Sequence, residues 1–320
     1  MATPEEKQRI LLESGTNEVE IAEIVLSGQR FGVNVAKIRE FIPYEGIKVS
    51  RMPGSHPSIL GVFLLRGKSI PFIDLVTHLN LPKSTQESWQ VVVVTEFNNM
   101  VNAFYADEIN RIHRVSWSEF KPLNQFLADN SPQITGSISL EGNEVLILDL
   151  EHIIGEIFPE SIINYDEEVF SQKPVLEKRE EAHVIFAEDS AIIRYQITNI
   201  LEKVGYNKLS AFDNGLAALQ AIKEYKRQAD ENSEDIRKYI TLVITDIEMP
   251  QMDGLSLCRQ IKQELGLNIP VIMFSSLINE QMARKCEAVG ADAFVTKPET
   301  EALIDLMDRH CFPEQFSEGS

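Results

Sequence analysis

The sequence predicts two domains: an all-β half built from two related units, followed by an α/β half with an open parallel sheet. Three observations carry that prediction. Residues 59–75 recur without gaps at 134–150, so that Ile59, Gly61, Leu65, Gly67, Asp74 and Leu75 each meet an identical residue 75 positions later. Beyond residue 182, apolar runs of strand length end on charged or hydroxyl residues, as strands covered on both faces do. Between the halves, residues 166–182 hold Asp166, Glu167, Glu168, Lys173, Glu177, Lys178, Arg179, Glu180 and Glu181, the composition of a charged linker.

Composition bounds the function. A chain of 320 residues has room for about two domains. Its 43% hydrophobic and 25% charged shares are those of a globular protein. A net charge of −19 argues against general affinity for nucleic acid or anionic membrane, which reward basic patches, and leaves docking onto proteins. No apolar run approaches the roughly 20 residues of a membrane helix. Residues 1–13 carry three glutamates and no apolar core, unlike a signal peptide. Cys258, Cys286 and Cys311 lack paired spacing and read as reduced packing residues in a cytoplasm. The six histidines show no metal spacing.

In chain order, residues 5–13 suggest a short helix that cannot stand alone and that Gly15 breaks, giving an arm over 1–17. Strands follow at 20–26 and 31–35 around the turn signal Ser27-Gly28. Residues 36–41 suggest a helical turn ended by Pro43, and Pro53, Gly54 and Pro57 an irregular connection. Each repeat copy reads as strand, glycine turn, strand, and an aspartate capping a short helix; residues 90–96 and 101–105 add a hairpin. Arg66 does not recur, its counterpart being Glu141, which makes it a candidate for a partner's carboxylate.

The chemistry lies in the second half. Strand 242–245 runs into Asp246, with Pro250 and Gly254 forcing a loop after it. Strand 183–187 runs into Glu188-Asp189, with Ser190 as N-cap of a helix over 191–204; strand 271–274 ends on Ser275, and strand 293–296 on Lys297-Pro298. In an open parallel sheet these carboxyl-terminal tips share one cleft. Taken alone, each is an ordinary polar strand end; four in order are a site. Crowded carboxylates call for a hard cation such as Mg²⁺, and a cation with a lysine can stabilise a transferring phosphoryl group. Asp246 is then the nucleophile, Glu188 and Asp189 hold metal, and Lys297 and Ser275 grip phosphate oxygens.

On these residues the span from about 183 to 310 resembles a response-regulator receiver domain: Glu188-Asp189 as its acidic pair, Asp246 as its phosphoacceptor, Ser275 as its hydroxyl, Lys297 followed by a cis Pro298, and Phe294 at its switch aromatic. The resemblance implies a doubly wound five-stranded parallel sheet and a metal contact from the Glu248 main-chain carbonyl. Departures are Glu-Asp where Asp-Asp is commoner, an acidic side chain at Glu248, no hydroxyl on Phe294, and residues 227–238, which read as a long solvated loop. The first half resembles the CheW-like coupling domain, two interlocked five-stranded β-barrels, on Arg66-Gly67, Ile70-Pro71 and Asp74-Leu75; Leu64 and Val76 stand where that family has asparagine and arginine.

Together the halves resemble CheV-type chemotaxis proteins. That implies a cytoplasmic scaffold linking chemoreceptors to the histidine kinase CheA, through a surface that includes Arg66, with phosphorylation of Asp246 regulating the coupling or draining phosphate. Expected boundaries are an arm (1–17), a coupling domain (18–165), a linker (166–182), a receiver (183–312) and a tail (313–320). Two other readings stay open. A constitutive adaptor would carry an inactive receiver. A phosphohydrolase of the haloacid-dehalogenase type needs a second aspartate two residues after the nucleophile, where this chain has Glu248.

Overall fold

The computed structural model describes residues 17–82, 90–98, 100–159, 176–277 and 280–315. The arm helix expected over 5–13 and most of the linker lie outside them. The chain divides into two compact units, parting near residue 162.

The first unit opens with β1 (Glu18–Leu26) and β2 (Gln29–Asn34), joined by a two-residue turn in which Ser27 and Gly28 both have positive φ, 52° and 78°. Such turns match the right-handed twist of the strands they join, and glycine takes the second position without strain. The strands β3 (Ile38–Pro43), β4 (Ile59–Leu65) and β5 (Lys68–Ile73) follow, then α1 (Leu75–His78). Next come β6 (Val91–Phe97), β7 (Met100–Ala106), β8 (Glu108–Ser116), the two-residue β9 (Lys121–Pro122) and α2 (Gln125–Asn130). The unit closes with β10 (Ile134–Leu140), β11 (Asn143–Leu148) and α3 (Leu150–Ile157).

One sheet is ordered β8-β1-β2-β11-β10-β9 and the other β3-β6-β7-β5-β4, so the chain leaves the first sheet after β2 and returns to it at β8. That exchange interlocks the two sheets. The first has six strands rather than five because β9 adds a short pairing against β10. Both repeat copies have the expected form: the turns Arg66-Gly67 and Glu141-Gly142 share positive φ, and Asp74 and Asp149 cap α1 and α3. The Thr77 and His152 amides donate to those carboxylates at 2.8 and 2.9 Å.

Residues 36–41 depart from the expected helical turn. Only Val35–Lys37 forms a 3-10 turn, and β3 pairs antiparallel with β6, Ile42 facing Val92. Half-burial on alternate residues gives β3 its strand character, and Pro43 is tolerated at its end.

The second unit begins with α4 (Leu176–Arg179) and continues through β12 (His183–Ala187), α5 (Ala191–Lys203), β13 (Lys208–Phe212) and α6 (Gly215–Asn232). Then come β14 (Leu242–Thr245), α7 (Gly254–Arg259), β15 (Val271–Ser275), α8 (Glu280–Val289), β16 (Ala293–Thr296) and α9 (Thr300–Cys311). Five parallel strands lie in the order β13-β12-β14-β15-β16. Alternate residues serve opposite faces. Ile244, Phe186 and Phe274 pack against Ile197, Leu201 and Ile304 of α5 and α9; Val243, Ile185 and Val271 pack against Ile222, Leu257 and Cys286 of α6, α7 and α8. All three cysteines are buried and unpaired, their thiols pushed up to about 12 by burial.

Two expectations are corrected here. The segment 227–238 is not one long loop: α6 runs on to Asn232, and Ser233 ends it in the left-handed region. Ion pairs one helical turn apart extend the helix, Lys226 with Asp230 and Arg227 with Glu224 and Glu231. The stretch read as a charged linker is not solvated throughout: it ends in a helical turn whose Arg179 is fully buried against Asp308 of α9. Among the described residues, no helix is long and apolar enough to cross a membrane.

Candidate functional site

Each residue at the carboxyl edge of the second sheet is placed by the strand before it. Asp246 follows β14, whose four residues are all buried, and its amide donates to the Ala187 carbonyl at 2.9 Å, tying the tips of β14 and β12 together. Glu188 and Asp189 follow β12. One carboxylate oxygen from each of Glu188, Asp189 and Asp246 lies within 4.8 Å of the others.

Lys297, beyond β16, reaches in from the side. Its ammonium is 2.7 Å from Glu188 Oε2 and 3.0 Å from Asp246 Oδ2, and all three side chains are almost wholly buried. Three carboxylates thus crowd around one ammonium where water screens poorly. The donors are hard oxygens at a separation one small cation can span, so the residues fit Mg²⁺.

Other side chains define the cleft. Ser275 ends β15 opposite Thr296 and is buried; its carbonyl accepts from the Lys297 amide at 3.1 Å and its hydroxyl from the Leu277 amide at 3.4 Å. The Lys297-Pro298 bond is cis. Glu248 is buried in the loop between β14 and α7. Phe294 pairs with Met273 across β15 and β16 and is about one-third exposed.

Two contributors escaped the sequence reading. The Arg194 guanidinium donates to the Glu188 carbonyl at 2.5 Å and to the Asp189 carbonyl at 3.1 Å, fixing the acidic pair's backbone from the first turns of α5. Ser190 occupies the expected N-cap position but makes no side-chain cap bond. A basic residue six places after Glu188 was visible, but only the turn of the helix aims it back. The second is the close approach of Gly254, which the sequence showed only as a loop former: a Cβ there would lie 1.9 Å from the Asp246 carbonyl oxygen. Asp253 caps α7 through the Ser256 amide at 2.6 Å, and burial raises its carboxyl pKa.

In the first unit, Arg66 sits at a hairpin tip, largely exposed, with its guanidinium 2.6 Å from Glu40 of β3. Its counterpart Glu141 accepts from Arg111 of β8.

Residues 20–158 match the CheW-like domain and residues 184–308 the response regulator receiver domain. The chain is 31% identical to the chemotaxis protein CheV3 of Helicobacter pylori over 92% of its own length and 96% of the relative's. It is 28% identical to CheV2 of the same organism, over 88% and 90% of the two chains. A CheW-like domain followed by a receiver, matched over more than nine-tenths of both chains at this identity, places the chain in the CheV family of chemotaxis proteins.

Proposed function

We propose that this protein couples chemoreceptors to the histidine kinase CheA and that phosphorylation of Asp246 regulates the coupling. The convergence of Glu188, Asp189 and Asp246 on one point, with Lys297 bridging two of them, is the observation that carries this reading. In the transfer step a carboxylate oxygen of Asp246 attacks the phosphorus of the kinase's phosphohistidine. The P–O bond forms as the P–N bond breaks, and the leaving imidazole takes a proton from solvent. A Mg²⁺ held by Glu188, Asp189, Asp246 and the Glu248 main-chain carbonyl would supply charge neutralisation at the phosphoryl oxygens. Lys297 would trade its carboxylate partners for a phosphate oxygen, and the Ser275 hydroxyl would donate to another.

The phosphoryl group adds charge and acceptor oxygens where Lys297 now spans Glu188 and Asp246. Drawing Ser275 and Lys297 inward would shift β16 and let Phe294 repack, biasing a surface formed by Phe294 and α9. Arg66 would contribute to the surface that meets the kinase or the receptors, and the protein would work in the cytoplasm. Loss of phosphate would come from water attack on the acyl phosphate, beside the acidic side chain of Glu248. Phosphate could equally drain the kinase as a sink; the same site serves both.

The deciding experiment is transfer of labelled phosphate from CheA to the full chain, with and without Mg²⁺, on the parent and on Asp246→Asn. Transfer that needs both Mg²⁺ and Asp246 is expected. Absence of transfer to the parent would leave a constitutive adaptor, and release of phosphate from small phosphomonoesters would favour a phosphohydrolase.

A further inference from the structure

The Arg179 side chain is fully buried, although it comes from the charged stretch that joins the two units. Its guanidinium forks onto Asp308 of α9, Nε to Oδ1 at 2.8 Å and a terminal nitrogen to Oδ2 at 2.5 Å. The other terminal nitrogen donates to the Val204 carbonyl at 2.9 Å, at the end of α5. The plane lies 5.6 Å from the Tyr206 ring centre, and the Tyr206 hydroxyl donates to Asp308 at 2.8 Å. The planar cation is thus held by three polar contacts and one ring, with Asp308 itself 1% exposed.

A buried ion pair is a poor source of net stability, because desolvation offsets most of the attraction. What the bidentate fork does supply is a fixed direction. Helix α9 gives that direction a use. Thr300, its first residue, lies three positions after Lys297, and its amide donates to the Pro298 carbonyl. Within this 12-residue helix Asp308 lies eight residues beyond Thr300, about 12 Å along the axis at 1.5 Å per residue. One end of the helix is attached to the lysine of the acidic site and the other grips the incoming chain.

We infer that the Arg179–Asp308 fork is the clamp through which α9 carries the state of the acidic site to the segment leading back to the coupling unit. This rests on phosphorylation at Asp246. When Lys297 changes partners, the start of α9 moves with it, and the helix is too stiff to absorb the shift internally. Arg179, locked at its far end, moves as one body with the helix, and residues 176–182 follow. The exposed charges around Arg179 stay in water and take no part.

The test uses the full-length protein with an environment-sensitive fluorophore on Glu180→Cys, a solvent-exposed position. The three native cysteines are buried, with thiols near 12, and do not compete for the label. Beryllium fluoride with Mg²⁺ mimics the phosphoryl group. A change in emission is expected in the parent and none in Asp246→Asn. Arg179→Lys keeps the charge and loses the fork; it should lose the emission change while still taking labelled phosphate from CheA. Arg179→Met should do the same. Two results overturn the clamp: a parent that takes label on Asp246 while Glu180→Cys stays silent, or an Arg179→Lys variant that responds as the parent does. A parent that takes no label fails at the phosphorylation step, which the labelled-phosphate arm reports separately.

Discussion

Arg66 and Glu141 hold the same turn position in the two repeat copies and enter ion pairs of opposite polarity, Arg66 with Glu40 and Glu141 with Arg111. The difference in sign between the copies therefore has an internal explanation: each tip is matched to the strand it leans on. A role for Arg66 in binding a partner has to be tested apart from this pairing.

Reversing the pair separates the two. Arg66 is two-thirds exposed, so Arg66→Glu should change stability by less than about 1 kcal/mol. If Arg66 meets a partner's carboxylate, the double variant Arg66→Glu/Glu40→Arg should restore the internal pair but not capture of CheA or receptor. Capture regained in the double variant would show that only the pair matters.

Lys297 is the cation that bridges Glu188 and Asp246 inside the site. Lys297→Met should cost about 3–5 kcal/mol in metal-free buffer, by leaving two buried carboxylates without a counter-charge. Mg²⁺ should return a larger share of stability to this variant than it adds to the parent. Urea unfolding with and without Mg²⁺ reads both numbers; equal Mg²⁺ effects in the two proteins would speak against a cation bound by these carboxylates.

Gly254 packs directly on the backbone of Asp246. Gly254→Ala should cost about 1–3 kcal/mol through forced displacement and should slow labelled-phosphate transfer, because the atom that must give way is the Asp246 carbonyl oxygen. A variant with parental stability and transfer would mean that the loop yields freely.

Three of the six histidines converge in the first unit, where the sequence showed no pattern. His78 lies 2.9 Å from Glu156, His152 lies 3.3 Å from the same carboxylate, and the His56 ring is 6.0 Å from His78. Burial, the largest effect, lowers the His78 pKa below its ordinary 6.5 and outweighs the attraction of Glu156. The unfolded chain therefore takes up the proton more readily. The stability His78 contributes is complete above pH 6.5 and is lost as pH falls through its folded value. Between pH 7.5 and 5.5, His78→Gln should show a shallower fall in unfolding free energy than the parent; parallel curves would remove His78 as the cause.

The sequence by itself determined the two-domain order, the duplicated hairpin units, the capping aspartates and the residues at the ends of the parallel strands. These are local or periodic signals: alternation, glycine at a positive-φ turn, and a carboxylate closing an apolar run, each legible within a few residues. Tertiary structure decided the rest. It turned residues 38–43 into a strand by offering β6 as a partner, and it drew Arg179 out of an apparent linker onto a carboxylate 129 residues away. It also aimed Arg194 back at the acidic pair and set the spacing of Glu188, Asp189 and Asp246. Long-range pairs of this kind leave no periodic trace, because what selects them is the cost of an unpaired polar group at a place that exists only once the chain has folded.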